Sequence, residues 1–284
     1  MRSDSEGNST AMHQALPEVL ASPRDTVSAA GLALPRVIGH RGAAGAAPEN
    51  TLAGIRKAKE LGVTWIEFDV KLTKDGHTIL FHDESLERTT DGRGLVAART
   101  LAEIKRLDAG MWFRSNFRGE PVPTLEEALL LCAELGLGIN VEIKPCRDRE
   151  AETAQAALAA VQRLWPEDMP PPLISSFASE CLQIALEIAP DLPRGYLAGR
   201  LPRHWQELVA RYDCATLHLN ERWLSARQCA AIVPTRLPVV LYTVNDGAHA
   251  RRHIERGVTS VITDHISRIR AAVEAAQPGA NVES

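Results

Sequence analysis

Apolar runs alternate with amphipathic stretches along the chain from residue 35 onward. Short apolar runs predict strands at 36–40, 64–70, 77–82, 138–144, 172–177, 194–198, 215–219, 238–243 and 259–263. Apolar residues at helical spacing predict helices at 50–61, 124–135, 149–164, 179–188, 203–211, 225–232, 246–255 and 266–276. Strand–helix alternation is typical of a parallel sheet, and about eight repeats favour a closed barrel over an open sheet. We therefore predict an α/β fold, a TIM-type (β/α)8 barrel.

The pattern contains nine strands rather than eight, and the second and third explain the excess. The link between them, residues 71–76, is too short for a crossover helix, so these strands must form an antiparallel hairpin. Asp75-Gly76 is expected to form a two-residue type I′ turn. That turn pairs residues whose numbers sum to 151, which sets His82 opposite Asp69, and a slip of two sets it opposite Glu67.

Three segments depart from the alternation. Residues 83–123 form the longest stretch without it, and we interpret them as a small insertion on the catalytic rim after the hairpin. Residues 1–34 lack sustained periodicity and a signal-peptide pattern, which indicates a disordered tail or a start assigned too early, with Met12 as one alternative. Residues 277–284 resemble a frayed end. The predicted barrel domain is therefore 35–276.

Two predicted strands carry acids near their carboxyl ends. Side chains alternate faces in a strand, so Glu67 and Asp69 share one face of the first, and Glu142 and Lys144 share one face of the second. Barrel active sites lie at the carboxyl ends of strands, where these residues would meet His40 and His82.

Three converging carboxylates repel one another, and a hard divalent cation relieves that repulsion. Oxygen ligands suit Mg²⁺ or Ca²⁺, and the sequence does not separate the two. The alternative is that Lys144 neutralises Glu142 as an ordinary buried ion pair. We favour the cation because five residues of functional type gather on one predicted rim.

Composition excludes some classes of partner. The formal net charge of −4 argues against a nucleic-acid footprint, and no apolar run reaches the ~18 residues of a membrane span, so no stable membrane anchor is expected. The five cysteines follow no metal or redox spacing and are interpreted as reduced core thiols in a cytoplasmic protein. The outer helices of a barrel can form a dimer patch, so a homodimer is one expectation.

Several short motifs together resemble the glycerophosphodiester phosphodiesterase family, closest to its cytoplasmic bacterial type. They are His40-Arg41-Gly42, Pro48-Glu49-Asn50-Thr51, Glu67-Phe68-Asp69, Lys74-Asp75-Gly76, His82-Asp83, Glu142-Ile143-Lys144, Tyr242-Thr243-Val244-Asn245 and Ile262-Thr263-Asp264. The resemblance implies a barrel that requires a divalent cation and releases glycerol 3-phosphate and an alcohol from deacylated phospholipids. It implies Glu67, Asp69 and Glu142 as metal ligands, and His40 and His82 as the acid–base pair.

The residue types also suit the reaction independently of the resemblance. A phosphodiester is anionic, so its cleavage needs charge neutralisation, a base for the nucleophile and an acid for the leaving alkoxide. The metal and Arg41 or Lys144 can neutralise charge, and two histidines can transfer protons near neutral pH. The sequence does not show which histidine is the acid.

Other residues are candidates for binding the substrate. Glu49 is expected to orient Arg41, and Asn50 is interpreted as a helix cap. Phe177 and Tyr242 end strands and could wall the glycerol or alcohol side, although the family often has Trp where Tyr242 stands. His218 is either a filler of the barrel interior or a pocket residue.

The leading hypothesis is metal-dependent hydrolysis of small-molecule glycerophosphodiesters, such as glycerophosphocholine or glycerophosphoethanolamine, to sn-glycerol 3-phosphate and an alcohol. One alternative is a lysophospholipase D, which would need an apolar groove or a membrane-facing surface. The other is a barrel that binds a phosphodiester without turnover, which predicts the loss of a histidine or an acid, and this chain has all of them.

Overall fold

The computed structural model describes residues 32–275, and its strands form one sheet that closes on itself. The strands are β1 (Val37–Gly39), β2 (Trp65–Leu72), β3 (Thr78–Leu80), β4 (Gly138–Ile143), β5 (Leu173–Ser176), β6 (Arg194–Ala198), β7 (Cys214–Asn220), β8 (Val239–Tyr242) and β9 (Ser260–Thr263). All except β3 pair in parallel, and β1 contacts both β9 and β2, which closes an eight-stranded barrel. The predicted (β/α)8 fold is confirmed.

Helices connect the strands and cover the outside of the barrel. They are α1 (Leu52–Glu60), α2 (Leu101–Ile104), α3 (Leu125–Glu134), α4 (Glu150–Leu164), α5 (Ser179–Ile188), α6 (Trp205–Arg211), α7 (Ala226–Ile232), α8 (Gly247–Glu255) and α9 (Ile266–Glu274). Local sequence explains several starts: Thr124 and Glu127 form a reciprocal capping box at α3. Only α2 lies in the 83–123 segment; the other eight correspond to the helices predicted from spacing.

The hairpin between β2 and β3 forms, but its turn differs from the prediction. Paired residues such as Val70 and Leu80 have numbers that sum to 150, not 151. The loop therefore contains three residues, 74–76, with Gly76 at φ +82°, where a side chain would be strained. His82 consequently lies past the last pair of the ladder, and neither expected register was right.

The apolar core has two parts on either side of the barrel wall. Side chains such as Phe68, Val141 and Leu217 point outward and pack under the helices. Inside the barrel, Trp65 and Ile262 belong to a second cluster that fills the amino-terminal end. The interior is therefore packed at one end, which leaves the carboxyl ends of the strands for polar groups.

The insertion after β3 has a small core of its own, built on residues of the hairpin. Its buried residues are Ile79, Phe81, Leu86, Val96, Ile104, Ala109 and Val122. This packing attaches residues 83–123 to the rim next to His82. The insertion is thus packed against the segment that leads from β3 to His82.

Most of the predicted tail lies outside the described residues. Residues 1–31 and the predicted frayed end, 277–284, are in that category. Leu32 and Leu34, which the prediction included in the tail, pack instead against the cluster at the amino-terminal end of the barrel. The domain limits otherwise stay predictions. Between residues 32 and 275, none of the helices has the length and apolar character needed to cross a bilayer.

Packing inside the barrel predicts that Gly138→Ala lowers the melting temperature. A methyl group at this position of β4 would lie 2.3 Å from the indole ring of Trp65 on the paired strand. Overpacking of this kind should lower Tm by roughly 2–12 °C in calorimetry. Gly199→Ala is the matched control, since no atom lies within 4 Å of its added methyl. Equal melting temperatures for the two variants would contradict this account.

Candidate active site

Three carboxylates meet at the carboxyl end of two adjacent strands. Glu67 and Asp69 lie on β2, and Glu142 lies on β4 directly beside Asp69 in the sheet register. One oxygen from each lies within 4.8 Å of the others, and the three residues are only 3%, 1% and 9% exposed. The predicted convergence of these acids is therefore present in the fold.

The environment of these acids opposes their full ionisation. Burial and the charges of Asp69 and Glu142 raise the pKa of Glu67 well above its ordinary value. Burial and Asp69 also raise the pKa of Glu142 to about 7. Asp69 differs: burial raises its pKa, but the charges of Arg41 and Lys144 outweigh burial and lower it. The site thus holds more negative charge than its own cations neutralise.

The same site suits a divalent cation. Its donors are carboxylate oxygens, the hard ligands that Mg²⁺ and Ca²⁺ prefer. The Oε1 atom of Glu67 is buried and has no hydrogen-bond partner in the protein. Buried polar atoms nearly always have a partner, so this oxygen is a suitable ligand for a cation. A bound cation would also oppose the burial and mutual repulsion that raise the pKa values of Glu67 and Glu142, because it would favour the charged forms.

His40 follows β1 and is oriented by an aspartate that follows β9, the strand paired with β1 where the barrel closes. Its Nδ1 lies 2.6 Å from Oδ1 of Asp264, and its Nε2 lies 4.0 Å from Oε2 of Glu67. Asn245 donates to the second oxygen of Asp264 at 2.6 Å. With Nδ1 occupied by the aspartate, Nε2 is the nitrogen that faces the acids.

His82 has the same arrangement with a different partner. Its Nδ1 lies 2.5 Å from Oδ1 of Asp83, the next residue in the chain. Burial lowers the pKa of His82, and the charges of Arg41 and Lys144 lower it further against the opposing effect of Asp69. The backbone N–H of Phe81 donates to the carbonyl of Asp69 at 3.0 Å, which keeps His82 next to β2 although it lies past the β2–β3 ladder.

Sequence reasoning assigned no role to either aspartate partner. Asp83 and Asp264 stood in the motifs quoted above, together with Asn245, but nothing in the sequence indicated which atoms they contact. A carboxylate next to a candidate catalytic histidine was the available signal for Asp83. Asp264 lies 224 residues from His40, so only the closure of the barrel brings them together.

Asn50 was expected to cap α1, and that expectation is wrong. Thr51 is the cap, since its side chain accepts a hydrogen bond from the backbone N–H of Gly54. Asn50 instead donates from Nδ2 to Oδ2 of Asp69 at 2.9 Å and accepts from the backbone N–H of Asp69 at 3.2 Å. Asn50 therefore holds one of the three acids in place.

Two cations border the acids. Nε of Arg41 lies 3.2 Å from Asp69, and its backbone N–H donates to Glu67 at 3.1 Å. Nζ of Lys144 lies 3.3 Å from Asp69 and 3.2 Å from Glu142. The ion pair considered as an alternative for Lys144 is thus present. Among the described residues, however, no side-chain cation lies within hydrogen-bond distance of Glu67. Glu49 contacts Arg41 as expected, at 2.6 Å.

The remaining candidates lie at different depths. Phe177 is half exposed, its ring packs edge-on against Tyr242, and Lys144 lies 5.9 Å from its centroid. Tyr242 donates to the carbonyl of Ala198 at 2.9 Å. His218 has no exposed surface, bonds Thr216 at 2.8 Å, and has a pKa that burial lowers to about 3. This position favours the barrel-filler interpretation, and a role of His218 in substrate binding stays a prediction.

Carboxylates, carboxylate-oriented imidazoles and cations on the rim of a (β/α)8 barrel define a class of enzyme suited to cleaving phosphate esters. The chain belongs to the glycerophosphoryl diester phosphodiesterase family, whose model matches residues 40–268. This membership confirms the predicted family resemblance and the prediction that the protein is an enzyme, a phosphoric diester hydrolase.

Individual relatives agree with this assignment. The chain is 36% identical over 230 residues to a glycerophosphodiester phosphodiesterase of Caldanaerobacter subterraneus, covering 80% of this chain and 93% of that protein. Among solved structures it resembles an Oleispira antarctica phosphodiesterase in complex with the product sn-glycerol 3-phosphate, with 40% identity and a TM-score of 0.83. That match covers 85% of this chain and 97% of the other.

A glycerophosphodiester phosphodiesterase from Agrobacterium tumefaciens shares the fold at 30% identity and a TM-score of 0.70. The match covers 84% of this chain and 100% of the other. Because these matches span nearly the whole of each relative, they relate complete barrels rather than a shared motif.

The electrostatics of the acids predict how metal-free protein responds to pH. Burial and Asp69 raise the pKa of Glu142 from its ordinary 4.5 to about 7. The contribution of this group to the free energy of unfolding is therefore fully present below about pH 4.5 and is lost as pH rises through 7. In EDTA, we expect Tm to fall over this window, and to fall less in Glu142→Gln. Calorimetry at several pH values measures both slopes.

A divalent cation should reverse this trend. Binding needs deprotonated carboxylates, so Mn²⁺ should raise Tm more at about pH 8 than at about pH 5.5. The account fails if the increment is the same at both pH values, or if Glu142→Gln leaves the slope in EDTA unchanged.

Proposed function

We propose that this protein hydrolyses glycerophosphodiesters to sn-glycerol 3-phosphate and an alcohol, with Glu67, Asp69 and Glu142 holding a divalent cation and His40 and His82 transferring protons. The observation that carries the proposal is the convergence, on one rim, of three buried carboxylates and two imidazoles that are each oriented by an aspartate. Family membership supports the class of reaction.

The three acids are the residues that would hold Mg²⁺ or Ca²⁺. When bound, such an ion would neutralise charge on the phosphate and stabilise the additional charge of the transition state. The chain's own cations support the same task. Arg41 and Lys144 lie 3.2 and 3.3 Å from Asp69, so both would stand beside an anionic ester bound at the acids.

The geometry of the two histidines supports the proposed proton transfer. In each, an aspartate within 2.6 Å of Nδ1 fixes the ring, so that Nε2 is directed away from the aspartate. In the proposed reaction, one imidazole accepts the proton of the attacking hydroxyl and the other donates a proton to the leaving oxygen. We propose these two roles for the pair as a whole.

The free hydroxyl next to the ester in a glycerophosphodiester is the proposed nucleophile. Its oxygen forms a new bond to phosphorus while the bond to the leaving alcohol breaks, which gives a cyclic phosphate. Water then opens the ring, and the two histidines exchange roles, so that both regain their starting protonation. A free hydroxyl beside the phosphate therefore becomes a requirement for a substrate.

Substrate range, location and assembly extend this proposal. We propose glycerophosphocholine or glycerophosphoethanolamine as substrates, with Phe177 and Tyr242 beside the glycerol or alcohol group and Glu49 supporting Arg41. The cysteines of the described residues are all buried and unpaired, which supports a cytoplasmic location. A homodimer through the outer helices stays a prediction.

Replacing either histidine should abolish turnover without unfolding the protein. We expect His40→Ala and His82→Ala to lower kcat by about 100-fold or more, because each removes one proton-transfer group. Thermal unfolding and the Kd for Mn²⁺ should stay near wild type. His204→Ala is the control, since that side chain is 74% exposed and its charged partner is Glu207, three residues further on. A histidine variant that keeps most of its kcat would remove that residue from the mechanism.

One assay separates the proposed activity from its alternatives. Purified protein is incubated with glycerophosphocholine and with lysophosphatidylcholine, with and without EDTA, and free choline is measured. Release from the first substrate alone, abolished by EDTA, is the expected result. Release from the second indicates a lysophospholipase D, and no release from either, at several metal concentrations, favours a barrel that binds without turnover.

A further inference from the structure

Arg88 lies in the insertion after β3 and contacts two acidic side chains of the rim at once. We propose that Arg88 is a positioning residue that places Arg41 and His82 together, so that phosphate binding and proton transfer depend on one guanidinium. This inference rests on the proposed function for the roles of those two residues. Its geometric part does not depend on activity.

The contacts of Arg88 use both edges of its planar group. Nε donates to Oδ2 of Asp83 at 2.5 Å, and Nη2 donates to Oδ1 at 3.1 Å. On the other side, Nη1 and Nη2 donate to the two oxygens of Glu49 at 2.8 and 2.7 Å. Arg88 therefore grips two carboxylates, each through both oxygens, in the fork geometry that only arginine provides.

Each of these carboxylates in turn holds a proposed site residue. Oε1 of Glu49 accepts a hydrogen bond from Arg41 at 2.6 Å. Oδ1 of Asp83 lies 2.5 Å from Nδ1 of His82. The result is an unbroken series of hydrogen bonds, the Arg88 network, which runs from Arg41 through Glu49, Arg88 and Asp83 to His82.

Electrostatics explain why the Arg88 network needs a cation between its two carboxylates. Glu49 and Asp83 are 10% and 25% exposed, and two carboxylates this close repel each other when nothing neutralises them. Burial raises the pKa of Asp83, but the hydrogen bonds from Arg88 and His82 outweigh burial and lower the pKa to about 2. Glu49 shows the same balance, with Arg88 as the leading favourable influence. Removing Arg88 should let the two carboxylates separate.

The Arg88 network also connects segments that are distant in sequence. Glu49 belongs to the loop between β1 and α1, whereas Arg88 and Asp83 belong to the insertion, 39 residues away for the Arg88–Glu49 pair. Neither loop is part of the barrel ladder, so neither is positioned by strand pairing. Arg88 therefore provides a direct link between the proposed phosphate-binding side and one proposed proton-transfer group.

The test compares kinetic constants among variants of the chain. Glu49→Gln should mainly raise KM, because Arg41 loses the carboxylate that orients its guanidinium. Asp83→Asn should mainly lower kcat, because His82 loses the carboxylate that orients its ring. Arg88→Ala should do both. Arg88→Lys should fail to restore either constant, since an ammonium group cannot bind two carboxylates bidentately. Arg163→Ala, which removes an exposed arginine on α4 with a single carboxylate partner, is the control and should match wild type.

Double variants measure the coupling directly. Adding Arg88→Ala to Asp83→Asn should change kcat much less than it does in wild type, and adding it to Glu49→Gln should change KM much less. We expect departures from additivity of roughly 3- to 100-fold. Fully additive effects, or Arg88→Ala with wild-type kcat and KM, would overturn the proposal. A loss of kcat with unchanged KM and a lower Tm would also overturn it, because that pattern describes a purely structural residue.

Histidine side-chain NMR separates failure of this inference from failure of the proposed function. In Arg88→Ala, the imidazole resonances of His82, assigned by their absence in His82→Ala, should shift while those of His40 do not. This readout needs no turnover, so it decides the positioning role even if no glycerophosphodiester is hydrolysed. If Arg88→Ala does not fold, Arg88→Lys serves for the same comparison. Unchanged His82 resonances in a folded variant would refute the role of Arg88.

Discussion

Mutual repulsion among three buried carboxylates is the constraint on which the rest of the site depends. Glu67, Asp69 and Glu142 are brought together by the pairing of β2 with β4, and the closed sheet does not let them separate. Their charge must be compensated in place. Arg41 and Lys144 compensate Asp69, and the raised pKa values of the other two acids show what those cations leave uncompensated. A divalent ion is the compensation that this arrangement suits.

The scaffold divides the work between rigid and adjustable parts. The acids lie on strands whose backbones are hydrogen bonded on both sides, so their separation is set by the sheet. The imidazoles lie just beyond strand ends and take their orientation from aspartates. Strands carry the fixed charge, and loops carry the imidazoles, whose placement depends on polar contacts. Ion-pair chains such as that through Arg88 perform at the rim the role that strand pairing performs in the barrel.

The proposed site draws on residues from around the barrel, so closure of the sheet matters to the site as well as to stability. His40 follows the first strand and Asp264 follows the last, and they meet only because β1 pairs with β9. His82 depends on a hairpin and an insertion with a small core of its own. The two histidines thus reach the same rim by independent structural routes, which brings the two proposed proton-transfer groups together.

The sequence alone was sufficient for the elements and for the acids. Apolar periodicity defined the nine strands and eight of the helices, and the period of two placed Glu67 and Asp69 on one face, because both properties are local. Turn chemistry was less informative: Asp75-Gly76 suggested a two-residue turn, whereas Lys74 joins the loop and changes the register. Both turns suit Asp-Gly, so only pairing along the whole hairpin decided between them.

Contacts between distant segments required the tertiary structure. Asn50 seemed a helix cap by position, but the fold brings Asp69 within its reach and leaves capping to Thr51. Asp264, Asn245 and Arg88 carried no local signal of their partners. Periodicity reports which face a side chain occupies, and it contains no information about which atoms from other loops meet there. The sequence therefore determined the barrel and its acidic centre, while tertiary packing decided which groups orient and neutralise that centre.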